Sequence, residues 1–296
     1  MSINLNRGDT IAHNKNLLKE IQCIFKPNNT MIKNYCDIIS ESSNISPRLE
    51  LKEITKKFGG IVAVDRASLT FSAGKVTGLI GPNGAGKTTV FNLITGFLKP
   101  DAGTIYLRDH PINGLPAWRI AQLGIGRLFQ DVRVFNKLTV LENLLLAKKD
   151  QLGENPLVSL WQRKKVLKAE KKNIEEARRW LKLVGLEEKE NSLAENLSYG
   201  QQKLLSIARL LAGGSEILLL DEPTAGINPQ IAKSLLAIIK QLSQEGKTVV
   251  VIEHNMSVIL EISDWVFFMN EGKVISFGLP EEILGDPEIR KTYIGI

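Results

Sequence analysis

The sequence predicts an α/β fold in which a parallel sheet carries helices on its faces, and three observations predict it. Apolar runs of strand length, Val76 to Ile80, Ile217 to Leu220 and Val249 to Ile252, are each followed by a helical pattern, starting at Lys87, Gln230 and Asn255. Between about 137 and 205 the alternation gives way to a charged, helix-period stretch, with Leu167, Ile174, Ala177, Leu181 and Val184 forming one apolar stripe. Composition also changes near residue 48: residues 1–48 are rich in Asn, Ser, Lys and Ile, carry no sustained strand pattern and end in the loop-like Ser42 to Pro47. The expected organisation is a flexible extension, 1–48, and one folded domain, 49–296, with a helical subdomain at about 137–205 nested within it.

Within the extension, Leu17, Ile21 and Ile24 fall at i, i+4 and i+7 beside Lys15, Lys19 and Lys26. A short amphipathic docking helix is one reading of them and a dispensable extension the other. Cys23 and Cys36 have no second pair or His cluster beside them, so no metal or redox site is expected there. Their sparsity, with the absence of an apolar signal-peptide core, leads to the expectation of a reducing cytosol. No apolar run approaches the roughly 18 to 20 residues that span a bilayer, so a membrane pore is excluded as a function of this chain alone. The net charge of +6 is too small to decide between nucleotide, lipid headgroup and no anionic partner. The basic run Arg163, Lys164, Lys165, Lys168, Lys171 and Lys172 reads as a solvated helix face, with acidic lipid or RNA as the alternative.

The chemistry begins after the first strand, at Gly81-Pro82-Asn83-Gly84-Ala85-Gly86-Lys87-Thr88-Thr89. Glycines let main-chain N–H groups wrap a phosphate chain, Lys87 reaches its β/γ oxygens, and the Thr88 hydroxyl is placed to ligate Mg²⁺. A strand before the loop and a helix after it complete a nucleoside-triphosphate site. The second strand, Ile217 to Leu220, ends in Asp221-Glu222. An acid at the carboxyl end of a buried strand can hold the metal, and a second one residue on can orient or deprotonate the attacking water. Asp221 is therefore the expected metal residue and Glu222 the expected base. Upstream of that strand, Leu197-Ser198-Tyr199-Gly200-Gln201-Gln202 opens an amphipathic helix with Leu204, Ile207, Ala208 and Leu211 on its apolar side. Ser198 and Gln201 make a capping-box pattern, and such a helix start is also an anion site.

That last stretch resembles the signature loop of ATP-binding cassette (ABC) ATPases, with Tyr199 where most members have Gly. Other motifs of the family follow in order. Gln130, in Gly126-Arg127-Leu128-Phe129-Gln130, is similar to the Q-loop, Ala225-Gly226-Ile227-Asn228 to the D-loop, His254 to the switch histidine, and Phe58 to the aromatic that stacks on adenine. The resemblance spans about 49–296. It implies a P-loop NTPase of ABC type with an antiparallel β subdomain beside the helical one, and hydrolysis of ATP with Mg²⁺ held by Thr88, Gln130 and Asp221. It implies Glu222, His254 and Gln130 as catalytic residues, and Phe58, Gly81 to Thr89, Ser198, Gly200 and Gln201 as nucleotide-binding residues. Two subunits would pack head to tail, each ATP lying between Gly81 to Thr89 of one and Ser198 to Gly200 of the other.

Within the family, Arg127 to Phe135, Tyr199-Gly200-Gln201-Gln202, Ala225 to Pro229, Ile252 to Met256, and Asp286 to Ile289 with Tyr293-Ile294-Gly295 are similar to one branch, the ATP-binding subunit of Liv-type importers. These take up branched-chain and other hydrophobic amino acids or, in related systems, urea. Tyr199 and Asn228 are the forms this branch commonly takes; the extension and Trp265 depart from it. The resemblance implies two membrane permease subunits, a second ATPase subunit, identical or sequence-related, and indirectly a solute-binding protein. It implies a peripheral place on the cytoplasmic face of the plasma (inner) membrane, and no nucleic acid is expected. The ATPase of a lipopolysaccharide-type exporter and a soluble, non-transport ABC ATPase are the alternatives.

Overall fold

The computed structural model describes residues 47–149 and 163–294. The amphipathic pattern at Leu17, Ile21 and Ile24, and both cysteines, lie outside the described residues. From Pro47 the chain runs through strands β1 (Pro47–Phe58), β2 (Ile61–Ser72) and β3 (Val76–Ile80), helix α1 (Lys87–Ile94), strands β4 (Ala102–Leu107) and β5 (His110–Pro111), helix α2 (Ala117–Gln122) and strand β6 (Ile125–Leu128). Helices α3 (Val140–Ala147), α4 (Arg163–Leu183) and α5 (Tyr199–Ala212) follow. The chain then alternates through β7 (Ile217–Asp221), α6 (Pro229–Gln244), β8 (Thr248–Ile252), α7 (Met256–Ile262), β9 (Trp265–Asn270) and β10 (Lys273–Gly278), and closes with α8 (Pro280–Gly285) and α9 (Pro287–Ile294).

Two sheets result. A four-stranded sheet, ordered β2-β1-β4-β5, is antiparallel throughout, and its first hairpin turns at Gly59-Gly60 with Phe58 opposite Ile61. A six-stranded sheet, ordered β10-β9-β3-β8-β7-β6, is parallel except for β10, which pairs antiparallel with β9 at the edge. The short apolar runs are central strands buried on both faces, which is why they read as continuous rather than alternating. In β7, Leu218 and Leu220 join the core shared with the helical lobe, while Ile217 and Leu219 join the core under the antiparallel sheet. Val249 and Val251 of β8 divide from Val250 and Ile252 in the same way. Period-two geometry forces that split, and each side chain removed from water contributes about 2 kcal/mol.

The helical segment packs α5 against both α3 and α4. Thr139 and Glu142 cap α3 reciprocally. Buried Asn143 ties the preceding loop down: its amide donates to the carbonyls of Phe135 and Thr139, and its oxygen accepts from Phe135 N at 2.9 Å. The apolar stripe expected on α4 needs one correction. Ala177, Leu181 and Val184 are buried, but Leu167 is 49% exposed and Val166 turns inward instead. At 3.6 residues per turn Val166 lies nearly in line with Ala177 and Val184, whereas Leu167 is rotated about 100° away from that line. Lys164, Lys165, Lys168, Lys171 and Lys172 are all exposed. Among the described residues, no helix is long and apolar enough to cross a membrane.

Candidate functional site

The site forms where β3 and β7 end, at the carboxyl edge of the parallel sheet, the usual place for ligands in such sheets. The loop from Gly81 to Gly86 bends round the buried Lys87, whose ammonium donates to the carbonyls of Gly81 (2.7 Å) and Pro82 (2.9 Å). Glycine is required at two points of this bend. A Cβ at Gly81 (φ 148°) would stand 2.0 Å from the Met269 carbonyl oxygen, and one at Gly86 (φ 99°) 2.4 Å from that of Ala63. Asn83, Gly84 and Thr88 are exposed, Ala85 is buried, and Pro82, Gly86 and Thr89 are intermediate. Burial lowers the Lys87 pKa, and the carboxylates of Glu222 and Asp221 oppose that shift. An exposed glycine loop at a helix start, backed by an ammonium, fits a phosphate chain.

Asp221 closes β7 and is buried. Its Oδ2 accepts from Arg127 Nη2 at 2.8 Å, and Arg127 Nη1 donates to Asn92 Oδ1 of α1 at 2.6 Å. Glu222 follows with φ 47°, a left-handed backbone that costs a non-glycine residue roughly 1–2 kcal/mol. The conformation turns its carboxylate to two partners. His254 Nε2 lies 3.0 Å from Oε1, and Gln130 Nε2 donates to Oε2 at 3.1 Å. Residues far apart in sequence, 130, 222 and 254, thus share one carboxylate. Its amide donates to Ile252 O at 2.9 Å, tying the turn to the end of β8.

Ser198 and Gln201 form the reciprocal cap of α5, with Gly200 buried in its first turn against Ile231 and Ile227. No hydrogen bond joins them to the 81–89 loop among the described residues. The Tyr199 hydroxyl instead donates to the Gln130 carbonyl at 3.1 Å. Phe58 stands half-exposed at the end of β1, with the Lys56 ammonium 5.5 Å from its ring. Asn228 caps α6 through Gln230 N, with Pro229 as the first helical residue.

Three residues with clear work here carried no assigned role in the sequence reading. Arg127 sits in the Q-loop motif, and no local pattern says that it pairs with Asp221. Glu253 is buried and accepts from Thr224 N and Oγ1 at 2.9 and 2.6 Å. Lys203 is buried on α5 and donates to main-chain carbonyls of the turn after β7. Its signal was available, because it falls four residues before Ile207 and eight before Leu211, on the apolar stripe.

Comparison with known proteins gives this geometry a family. The family model for the ABC transporter matches residues 64–225. The chain belongs to the ABC transporter ATP-binding cassette family. The cassette is 42% identical over 250 residues to the high-affinity branched-chain amino acid transport ATP-binding protein LivG of Escherichia coli, covering 84% of this chain and 98% of that one. It is 43% identical to BraF of Pseudomonas aeruginosa, of the same description, with the same coverage. Among solved structures, a nucleotide-free ATP-binding cassette from an ABC transporter and the ADP conformation of such a cassette each give a TM-score of 0.73 at 35% identity, covering 85% of this chain and 100% of theirs. A bacterial ABC transporter cassette solved as a dimer gives 0.64 at 29% identity, covering 78% of this chain and 98% of its own.

Proposed function

We propose that this cassette is the ATP-hydrolysing subunit of an importer for branched-chain or related hydrophobic amino acids. One observation carries the catalytic part: the Glu222 carboxylate, beside the phosphate loop, is held on one oxygen by Gln130 and on the other by His254. The names of LivG and BraF, relatives at 42–43% identity across nearly their whole length, support the solute class.

In this reading Lys87 draws negative charge off the β/γ oxygens of ATP, and the amides of Gly81 to Thr89 cradle them. Thr88, Asp221 and Gln130 hold Mg²⁺, which when bound neutralises the charge of the phosphate chain. Glu222 takes the proton of the attacking water. Each of its oxygens has one partner in the chain, Gln130 or His254, and keeps a second lone pair with which to accept from the water. Phe58 stacks on adenine. Ser198, Gly200 and Gln201 serve the nucleotide of a second ATPase subunit, so one subunit holds half of each site. Two permease subunits, and through them a solute-binding protein, complete the assembly at the cytoplasmic membrane face.

The test is Mg-ATP hydrolysis by the purified protein and its Lys87→Ala variant. The reading expects turnover by the wild type and loss of both nucleotide binding and turnover in the variant. Equal activity in the two removes the site.

A further inference from the structure

The turn after β7, residues 222–225, carries the reactive carboxylate but belongs to no helix or strand, so its main-chain groups need partners from elsewhere. Its amides find them locally and across the sheet: Ala225 N donates to Glu222 O at 3.2 Å, and Thr224 N to the Glu253 carboxylate at 2.9 Å. Pro223 has no amide to give. The carbonyls converge on one side chain. Lys203 Nζ donates to Glu222 O at 3.0 Å, Pro223 O at 3.2 Å and Ala225 O at 2.7 Å. An ammonium has three hydrogens, and each has an acceptor in this one turn. Lys203 is 1% exposed, and the Tyr199 ring lies 5.3 Å from its nitrogen.

The stem of Lys203 rises from the second turn of α5, so the helix that begins at Ser198 is bolted to the turn that begins at Glu222. A carboxylate on a left-handed backbone points where its carbonyl and amide are held. The amide is fixed by Ile252 O, and the carbonyl by Lys203 and Ala225 N. Removing the ammonium takes a donor from three carbonyls, that of the buried Pro223 among them, and frees Glu222 to relax toward ordinary φ values.

We propose that Lys203 is a positioning residue for Glu222, gathering the carbonyls of the 222–225 turn onto α5 and so fixing the direction of the carboxylate that orients the attacking water. The proposal rests on the reading of Glu222 as the base. Lys203 is buried, and all three of its hydrogens go to the turn. Its loss therefore acts on the chemical step and not on ATP binding.

The experiment uses the full chain and its Lys203→Met and Lys203→Arg variants, with kcat and KM for Mg-ATP and amide exchange of residues 224–226 as readouts. The expected result for Lys203→Met is a fall in kcat of about ten-fold or more with KM within about two-fold, and faster exchange at 224–226. Lys203→Arg, which keeps the donors, recovers part of the turnover. If Lys203→Met does not fold, Lys203→Gln takes its place with the same expectation. Wild-type kcat in Lys203→Met, or kcat and nucleotide affinity falling together with no recovery in Lys203→Arg, overturns the proposal. If the wild type itself shows no hydrolysis, the functional reading fails, and the exchange measurement decides alone: unchanged exchange at 224–226 overturns the role of Lys203, and faster exchange supports its hold on the turn.

Discussion

Arg127 and Asp221 form a buried ion pair, Nη2 to Oδ2 2.8 Å, with side chains only 6% and 8% exposed. The pair bridges neighbouring strands β6 and β7, and the second guanidinium nitrogen continues to Asn92 on the helix that follows the phosphate loop. Phe129 and Phe91 lie over the guanidinium at 4.7 and 5.5 Å. Asp221 is therefore held in one orientation before any ligand arrives.

Arg127→Leu removes one partner of this pair and leaves a buried carboxylate uncompensated. The expected loss is about 3–5 kcal/mol of folding stability, read from urea unfolding. A loss below about 1 kcal/mol would mean that the pair is solvated and does not fix Asp221.

Glu222→Gln keeps the shape of the side chain but removes its basicity. Hydrolysis is expected to fall about 100-fold or more while ATP still binds, so that an ATP-bound dimer accumulates on size-exclusion chromatography. Turnover at the wild-type rate would remove Glu222 as the base.

Asn143→Leu keeps the number and branching of the side-chain heavy atoms but strips the bonds to Phe135 and Thr139 in the loop between Gln130 and α3. The expected cost is about 2–4 kcal/mol, from buried groups left unpaired at about 1–3 kcal/mol each. Exchange of the Phe135 amide should accelerate; a protected Phe135 amide in the variant contradicts this account of the loop.

Asp101 has its pKa lowered, first by the Lys57 amide and then by the Lys56 ammonium, which donate at 2.7 and 2.9 Å. A depressed carboxylate contributes stability above its unfolded value, about 3.9, and loses it as pH falls through the lower folded value. Asp101→Asn should thus be less stable than wild type at neutral pH, the gap closing in acid below about pH 4. A gap that stays constant from pH 7 to pH 2, followed by thermal melts, would sink the assignment.

The sheet was legible because its central strands are short unbroken apolar runs, each followed by a helical pattern. Which residue faced which core was not, since Leu218 and Leu219 are chemically the same and only the packed layers distinguish them. The hairpin of β1 and β2 was not read, and the two strands pair through several register shifts that no periodicity reveals. At the site, the loop and the acidic pair could be read because phosphate chemistry constrains local spacing. Arg127, Lys203 and Glu253 act across long stretches of chain on backbone or buried carboxylate, and such partners are set by tertiary packing alone. Leu167 shows the limit of a stripe: one residue's shift in the helical phase put it in solvent.

The central claim is that this cassette powers a membrane importer, and its partners test it most directly. The tagged protein is purified gently with Mg-ATP from detergent-solubilised native membranes, and what accompanies it is identified by mass spectrometry. The account predicts two hydrophobic permease subunits and a second ATPase subunit. Recovery only from the soluble fraction, in company with iron–sulfur assembly, repair or ribosomal proteins, would leave the ATP site standing and contradict the transport role.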